Sequence, residues 1–428
     1  MNKYTDLIKL VKSEMKPSMG CTEPVAIGLA VSNTCRYLEK PATKLKLKIS
    51  SNIFKNAFCV KLPNTEEAGI KLASALGYLL TKEDNDMEIF KNITNDLVLE
   101  AKELLKKGFV ETEAVQDSRF YIEVLAINDN EEIRTITLDK HDNLVKVEKN
   151  GETILNKLEE KKENENKIKE EKLDISKFTV KELVEIAENI DIKELEFLKE
   201  CINMNLAASE EGLRKDYGMH IGRTMKRLIE EKTLSNDLVN YVKMTVSSAS
   251  DMRMGGGPLS AMTVAGSGNQ GFQTTLPIIA ASKYLKLSED TSLRALFMSI
   301  LIMLRMKCKL GRLSPICGAM LGGTAASAGI AWILGGKIEE ISGAMQNMFA
   351  NVSGMMCDGA KDGCAVKLCT CSGESVLSAK YSMAGVRACK TDGIVSEKLE
   401  DTIDNIARLS NEGMKEIDMN VIDILSKK

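Results

Sequence analysis

Three cysteines stand in separate turns marked by glycine or proline: Cys21 in MGCTEP, Cys317 in LSPICGA and Cys357 in MMCDGAKDGCAVK. Cys21 precedes Thr22, Glu23 and Pro24, and Cys317 follows Ser314 and Pro315, so both are expected at or near the first turn of a helix. Unpaired backbone N–H groups and the positive helix end favour the thiolate, which is the form that binds metal. Three such thiols in a chain that reads as cytosolic suggest an iron-sulfur site, with three ligands leaving one iron open. Taken singly, each cysteine is as easily a small buried apolar residue.

Four blocks carry a wider likeness: GCTEP at 20–24, AGSGNQG at 265–271, LGRLSPICG at 310–318 and CDGAKDGCAVK at 357–367. With them the chain resembles, over nearly its full length, the L-cysteine desulfidase family, related to the catalytic (alpha) subunit of the iron-sulfur L-serine dehydratases. The resemblance implies a [4Fe-4S] cluster held by Cys21, Cys317 and Cys357, whose free iron acts as a Lewis acid. The implied reaction converts L-cysteine to pyruvate, ammonia and hydrogen sulfide, whereas the serine enzymes eliminate water. Those enzymes are associated with a serine- and histidine-bearing segment near the start of the catalytic domain. Here the neighbourhood is KPSMGCTEP, without histidine, which favours cysteine and puts in doubt any histidine base carried over from them.

Eliminating a β-thiol requires a base for the weakly acidic Cα proton while the sulfur departs. The chain has two histidines. His141 reads as a surface residue of a hairpin turn, which leaves His220 in YGMHIGRTM, beside Lys361 and Lys367, which bracket Cys364. A lysine near a cationic or apolar site is depressed enough to act as a base, and the sequence does not choose among the three. The glycine-rich MGGGPLSAMTVAGSGNQGF precedes an apolar helical run and reads as an anion cradle. Ser267, Asn269 and Gln270 are assigned there to the α-carboxylate and amino group of a small amino-acid substrate. Thr22 and Glu23 either contact substrate or cap their helix. Cys364, Cys369 and Cys371 lack zinc-type spacing and are expected to pack or to be redox-sensitive neighbours.

The elements that position these residues follow from periodicity. Leu7, Ile8, Leu10, Val11 and Met15 mark an amphipathic helix ending before Pro17, and a second runs from Cys21 through VAIGLAVSNTCRYLE, with Cys35 packed mid-helix. TKLKLKIS, FCVKLP, RFYIEVLAI, EIRTITL and LVKVEK read as strands, and TEEAGIKLASALGYLL and MEIFKNITNDLVLEAKELLKK as helices. Beyond Phe178 helical periodicity dominates. The expected fold class is α+β, mainly an all-helical catalytic domain with an inserted smaller α+β lobe. Residues 1–40 are the N-terminal helices of the catalytic domain, 41–156 the lobe, 157–174 a charged linker and 175–428 the helical remainder carrying the cluster site. The lobe is expected either to regulate or to help assemble a homodimer.

Composition narrows the partners. A chain of 428 residues with a net charge of −3, interspersed charges and no basic stripe excludes a nucleic-acid partner. Eleven cysteines, an odd number, and no leader-like start point to a reducing cytoplasm. AMLGGTAASAGIAWILGG is too interrupted for a bilayer and reads as a buried helix, so no membrane partner is expected. SGNQG also resembles the phosphate loop of pyridoxal-phosphate β-eliminases, with Lys243 upstream, but the continuous helices around it do not fit a doubly wound sheet. A non-catalytic cluster protein is the third reading, against which the open three-cysteine set argues.

Overall fold

The Lys-Leu alternation of residues 44–50 and the helical periodicity after Phe178 become two packed regions in the computed structural model, which describes residues 3–81, 86–117, 119–158 and 173–427. Most of the segment read as a charged linker lies outside the described residues. The fold is mixed α+β and mainly helical, as the sequence predicts.

Helix α1 (Lys3–Glu14) and the short strand β1 (Pro17–Met19) lead into α2 (Thr22–Cys35), with Cys21 as the N-cap. The lobe follows: β2 (Lys44–Ser50), α3 (Ser51–Ala57), α4 (Ile70–Leu79), α5 (Asn95–Lys106), β3 (Val110–Val115), β4 (Tyr121–Ile127), β5 (Glu132–Leu138), β6 (Leu144–Lys149) and β7 (Glu152–Asn156). The sheet order is β3-β2-β4-β5-β6-β7, with β2 and β3 parallel and the other pairs antiparallel. Leucines of KLKLKIS point into the core and its lysines outward, the period-two rule for a sheet covered on one face. FCVKLP is not a strand. Ser51–Ala57 form a helix turn by turn after β2, and Pro63, which lacks an N–H, and Asn64 at φ +59° close a loop held by one isolated bridge, Lys61 to Ala68.

The helical region contains α6 (Val180–Asn189), α7 (Leu198–Arg214), α8 (Ile221–Glu230), α9 (Leu238–Met254), strand β8 (Ser260–Met262), α10 (Gly268–Leu285), α11 (Glu289–Leu310), α12 (Gly318–Ile333), α13 (Ile338–Val352), α14 (Cys364–Met383), α15 (Leu399–Arg408) and α16 (Ile417–Ser426). Side-chain caps start several of them: Thr179 and Glu182 form a capping box on α6, and Asp237 and Ser288 cap α9 and α11. Helices α9, α10, α12 and α14 pack on one another. The Ala-, Gly- and Ser-rich α12 is buried from Ala319 to Ala331, since small side chains let its neighbours approach closely. Among the described residues no helix is long and apolar enough to cross a membrane.

Two apolar cores divide the first 40 residues. Leu7, Val11 and Met15 of α1 join the helical core, whereas Val25, Ile27, Leu29 and Val31 of α2 join the core under the sheet. Pairing of β1 with β8, Pro17 opposite Met262, ties the segment before Cys21 to the segment before α10. The first cysteine is thereby placed at the seam between the two regions.

Candidate active site

Four short segments meet at this seam around a cavity of about 90 Å³. Cys21 and Cys317 are N-cap residues of α2 and α12, both in extended conformation. The loop carrying Cys357 is pinned to that of Cys317 by a two-bond bridge: Cys357 N–H donates to the Pro315 carbonyl at 2.6 Å and Cys317 N–H to the Met355 carbonyl at 2.9 Å. Side chains link Cys21 to Cys357. The Cys21 thiol donates to Glu23 Oε2 at 2.9 Å, Asn56 Nδ2 donates to Glu23 Oε1 at 2.9 Å, and Cys357 Sγ lies 3.7 Å from Asn56 Oδ1. All three thiols, with Cys364 at the start of α14, line the cavity. These are the groups that could hold a metal. Among the described residues no group of three or more His, Cys, Asp or Glu side chains is placed to hold a metal ion.

The sequence leads one to expect thiols depressed by helix N-termini, and burial reverses that. It pushes Cys317 up to about 12, with Cys357 and Cys364 adding to the rise, and it pushes Cys21 well up, helped by the negative Glu23. Desolvation exceeds the helix-end effect, so these thiols ionise only when a cation joins them. Burial also opposes ionisation of Glu23, but the pull of His141, hydrogen bonds from Cys21 and Asn56, and the Arg253 charge hold its carboxyl below the usual range. Of the two cations named, Arg253 is the permanent one, because burial lowers His141 to about 4.

Glu23, Ser267, Asn269 and Gln270 line the same cavity as the cysteines, while Thr22 donates to Glu23 Oε2 at 3.1 Å and lines the adjoining cleft. Ser267 is the N-cap of α10, and its side chain accepts no backbone N–H. The glycines of AGSGNQG make room for charged side chains: at Gly266, φ +82°, a Cβ would sit 2.9 Å from both Arg312 Nη1 and His141 Cε1, and at Gly268 it would collide with Arg253 Nε.

The three residues named as bases do not line this cavity. His220 starts α8 in left-handed conformation, its side chain 48% exposed and 3.5 Å from Asp216. Lys361 and Lys367 both grip Asp358; burial alone would raise that carboxyl, and the two lysines hold it down at about 2. Burial pulls Lys367 down too, but Asp358 outweighs it and holds the amine above its ordinary value, the reverse of what a base needs. Cys369 and Cys371 pack, within 3.5 Å of Met225 Sδ and 3.6 Å of Met355 Sδ, as expected. Lys243 lies along Gly373 between α9 and α14, away from the cavity, and among the described residues no doubly wound sheet flanks SGNQG.

The cavity instead takes in His141, Arg253, Lys307, Arg312 and Asn56. His141 does sit in the β5–β6 turn, but it is 8% exposed rather than on the surface. The hairpin tip is docked against α1 by Lys16 with Asp142 at 2.6 Å and Lys140 with Glu14 at 3.6 Å, and Glu14 in turn chelates Arg312 at 2.7 Å. Phe120 meets the imidazole at a tilt of 57° with ring centroids 4.6 Å apart, and the His141 Nε2 has no partner among the described residues. Burial and the nearby Arg312 charge lower Lys307 to about 8. Arg312 stands within the LGRLSPICG block, but the other four carry no local sequence signal; for His141, scarcity of histidine was the one available pointer.

A family model described as serine dehydratase alpha chain matches residues 84–423. A UPF0597 protein of Clostridium botulinum (strain Loch Maree / Type A3) is 37% identical over 99% of this chain and 97% of its own length. Relatives with the same description from Clostridium perfringens (strain SM101 / Type A) and Aeromonas hydrophila are 36% and 35% identical, over 98% and 99% of this chain and 98% and 97% of their own lengths. These relatives extend over the Cys21 segment, which the family model does not reach. The chain belongs to the serine dehydratase alpha-chain family.

Proposed function

We propose that this protein is an iron-sulfur lyase that removes the β-substituent of a small amino acid, with L-cysteine as substrate and pyruvate, ammonia and hydrogen sulfide as products. The observation that carries the reading is convergence: Cys21, from the start of the chain, lines one cavity with Cys317, Cys357, Ser267, Asn269 and Gln270 from its second half. The donor set fits a [4Fe-4S] cluster. Three thiols line one cavity, and the neighbouring Arg253 and Arg312 offset thiolate charge. Bound there, such a cluster supplies a Lewis acid for the leaving sulfur.

The chain's own residues do the rest. The first turn of α10 binds and orients the amino acid. Proton removal from Cα falls within the pair His141 and Lys307, the cavity groups that burial holds toward the neutral form. Loss of the Cα proton and of the β-sulfur leaves an enamine, which water converts to pyruvate and ammonia. L-serine is the rival substrate, favoured by the description of the family model; the absence of histidine from KPSMGCTEP favours cysteine. All eleven cysteines are free, which suits a reducing cytoplasm.

The test is anaerobic purification, iron and acid-labile sulfide analysis, and separate addition of L-cysteine and L-serine while pyruvate and sulfide are followed. Brown protein with about four irons per chain, releasing sulfide from cysteine, is the expected result. Pyruvate from serine alone moves the assignment to dehydratase, and a yellow, borohydride-sensitive protein without iron sinks the cluster reading.

A further inference from the structure

Arg253 is the last charged residue of α9 and among the largest fully enclosed side chains of the molecule, 2% exposed. Its guanidinium lines the cavity, yet Nε and Nη2 have no hydrogen-bond partner among the described residues, and Nη1 reaches only Met254 Sδ at 3.4 Å. A buried cation with two idle donors is costly to keep unless something fills them. Nε–H and Nη2–H are neighbours on one edge of the guanidinium, and together they match the two oxygens of a carboxylate. That edge passes the N-terminus of α10, where only glycine at 268 leaves room for it.

The idle acceptors lie in the same cavity. Asn269 Oδ1 and Gln270 Oε1, in the first turn of α10, are buried without partners, and Gln270 is packed against Gly318 beside Cys317. Two donors on a cation and two amide oxygens are the complement of a zwitterion: a carboxylate for the first pair, an ammonium for the second. Glu23 already accepts from Asn56 on one oxygen and from Thr22 on the other.

We infer that Arg253 is the anchor for the α-carboxylate of an amino-acid ligand, and that Asn269 and Gln270 accept its ammonium. The assignment deepens the proposed lyase reading and rests on it for the ligand's class. It makes Arg253 a specificity-determining residue that selects α-amino acids over simple amines.

Calorimetry on the anaerobically purified protein tests this with three probes: L-alanine, which has no leaving group; 3-mercaptopropionate, which lacks the ammonium; and cysteamine, which lacks the carboxylate. In Arg253→Lys, L-alanine and 3-mercaptopropionate are expected to bind about tenfold more weakly, while cysteamine is unchanged. Asn269→Ala should weaken L-alanine and cysteamine and spare 3-mercaptopropionate. Should Arg253→Lys not fold, Gly268→Ala, which displaces the guanidinium without removing it, carries the same selective loss. Equal loss of all three probes, or none, overturns the anchor. L-alanine bound equally by wild type and Arg253→Lys removes the anchor and leaves the lyase reading standing. A wild type that binds 3-mercaptopropionate through Arg253 but neither L-alanine nor cysteamine keeps the carboxylate fork, overturns the ammonium assignment and removes the amino-acid reading.

Discussion

The helical region and the sheet lobe contribute to the same cavity in different ways. The helical region supplies a frame: Cys317, Gln270 and Arg253 sit at ends of helices whose flanks are buried, and the Cys357 loop is bridged to the Cys317 loop. The lobe and its neighbours supply single side chains, His141 from a hairpin tip and Asn56 from α3, delivered by polar contacts. Packing therefore fixes Cys317, Cys357 and the first turn of α10. Docking of one surface on another fixes the imidazole. The difference teaches that Cys317 and Cys357 are set by the packing of the helical region itself, whereas Cys21 and His141 reach the cavity only where the two regions meet.

The comparison is broken most severely by Cys317→Ser. This variant is expected to lose iron, labile sulfide and turnover completely while its far-UV spectrum stays wild-type, because the bridge to residue 355 uses backbone atoms. Retained iron with full turnover there ends the ligand assignment.

Which region carries the base is decided by Lys307→Met against His141→Gln. The one that takes the Cα proton should lower kcat by about 10²- to 10⁴-fold at near-normal iron content. A full rate in both moves proton removal elsewhere.

Stability against pH isolates the docked imidazole. Its folded value of about 4 lies below the ordinary 6.5, so between those values the unfolded chain takes up a proton that the folded one refuses. The contribution of His141 is complete above about 6.5 and is lost as pH falls toward 4, amounting to about 3 kcal/mol. Asp251 works the other way: burial raises it to about 7, so its contribution falls as pH rises from 3.8 to 7 and flattens the wild-type curve. The difference between wild type and His141→Gln in urea unfolding should therefore grow by about 3 kcal/mol from pH 4 to 6.5. A constant difference removes the docked, neutral imidazole.

The smallest effect is expected from Cys35→Ala. Cys35 is buried in α2 away from the cavity, so about 1 kcal/mol of stability is lost and iron is retained. Loss of iron in this variant would place a ligand outside the set.

What the sequence by itself determined is local. Proline and glycine placed Cys21 and Cys317 at helix starts, alternation placed the Lys-out, Leu-in strand β2, and small residues marked α12 as buried. Each signal lives within a few residues of what it predicts. Helix α3 and strand β3 were not legible, being short elements whose character is set by the sheet they join. Tertiary structure alone decided that His141 is enclosed, that Lys367 is pinned by Asp358 while Lys307 is desolvated, and that Arg253 shares a cavity with unpaired amide oxygens. The physical reason is that a residue's charge state and accessibility belong to the surfaces it meets, and those surfaces come from segments far away in the chain.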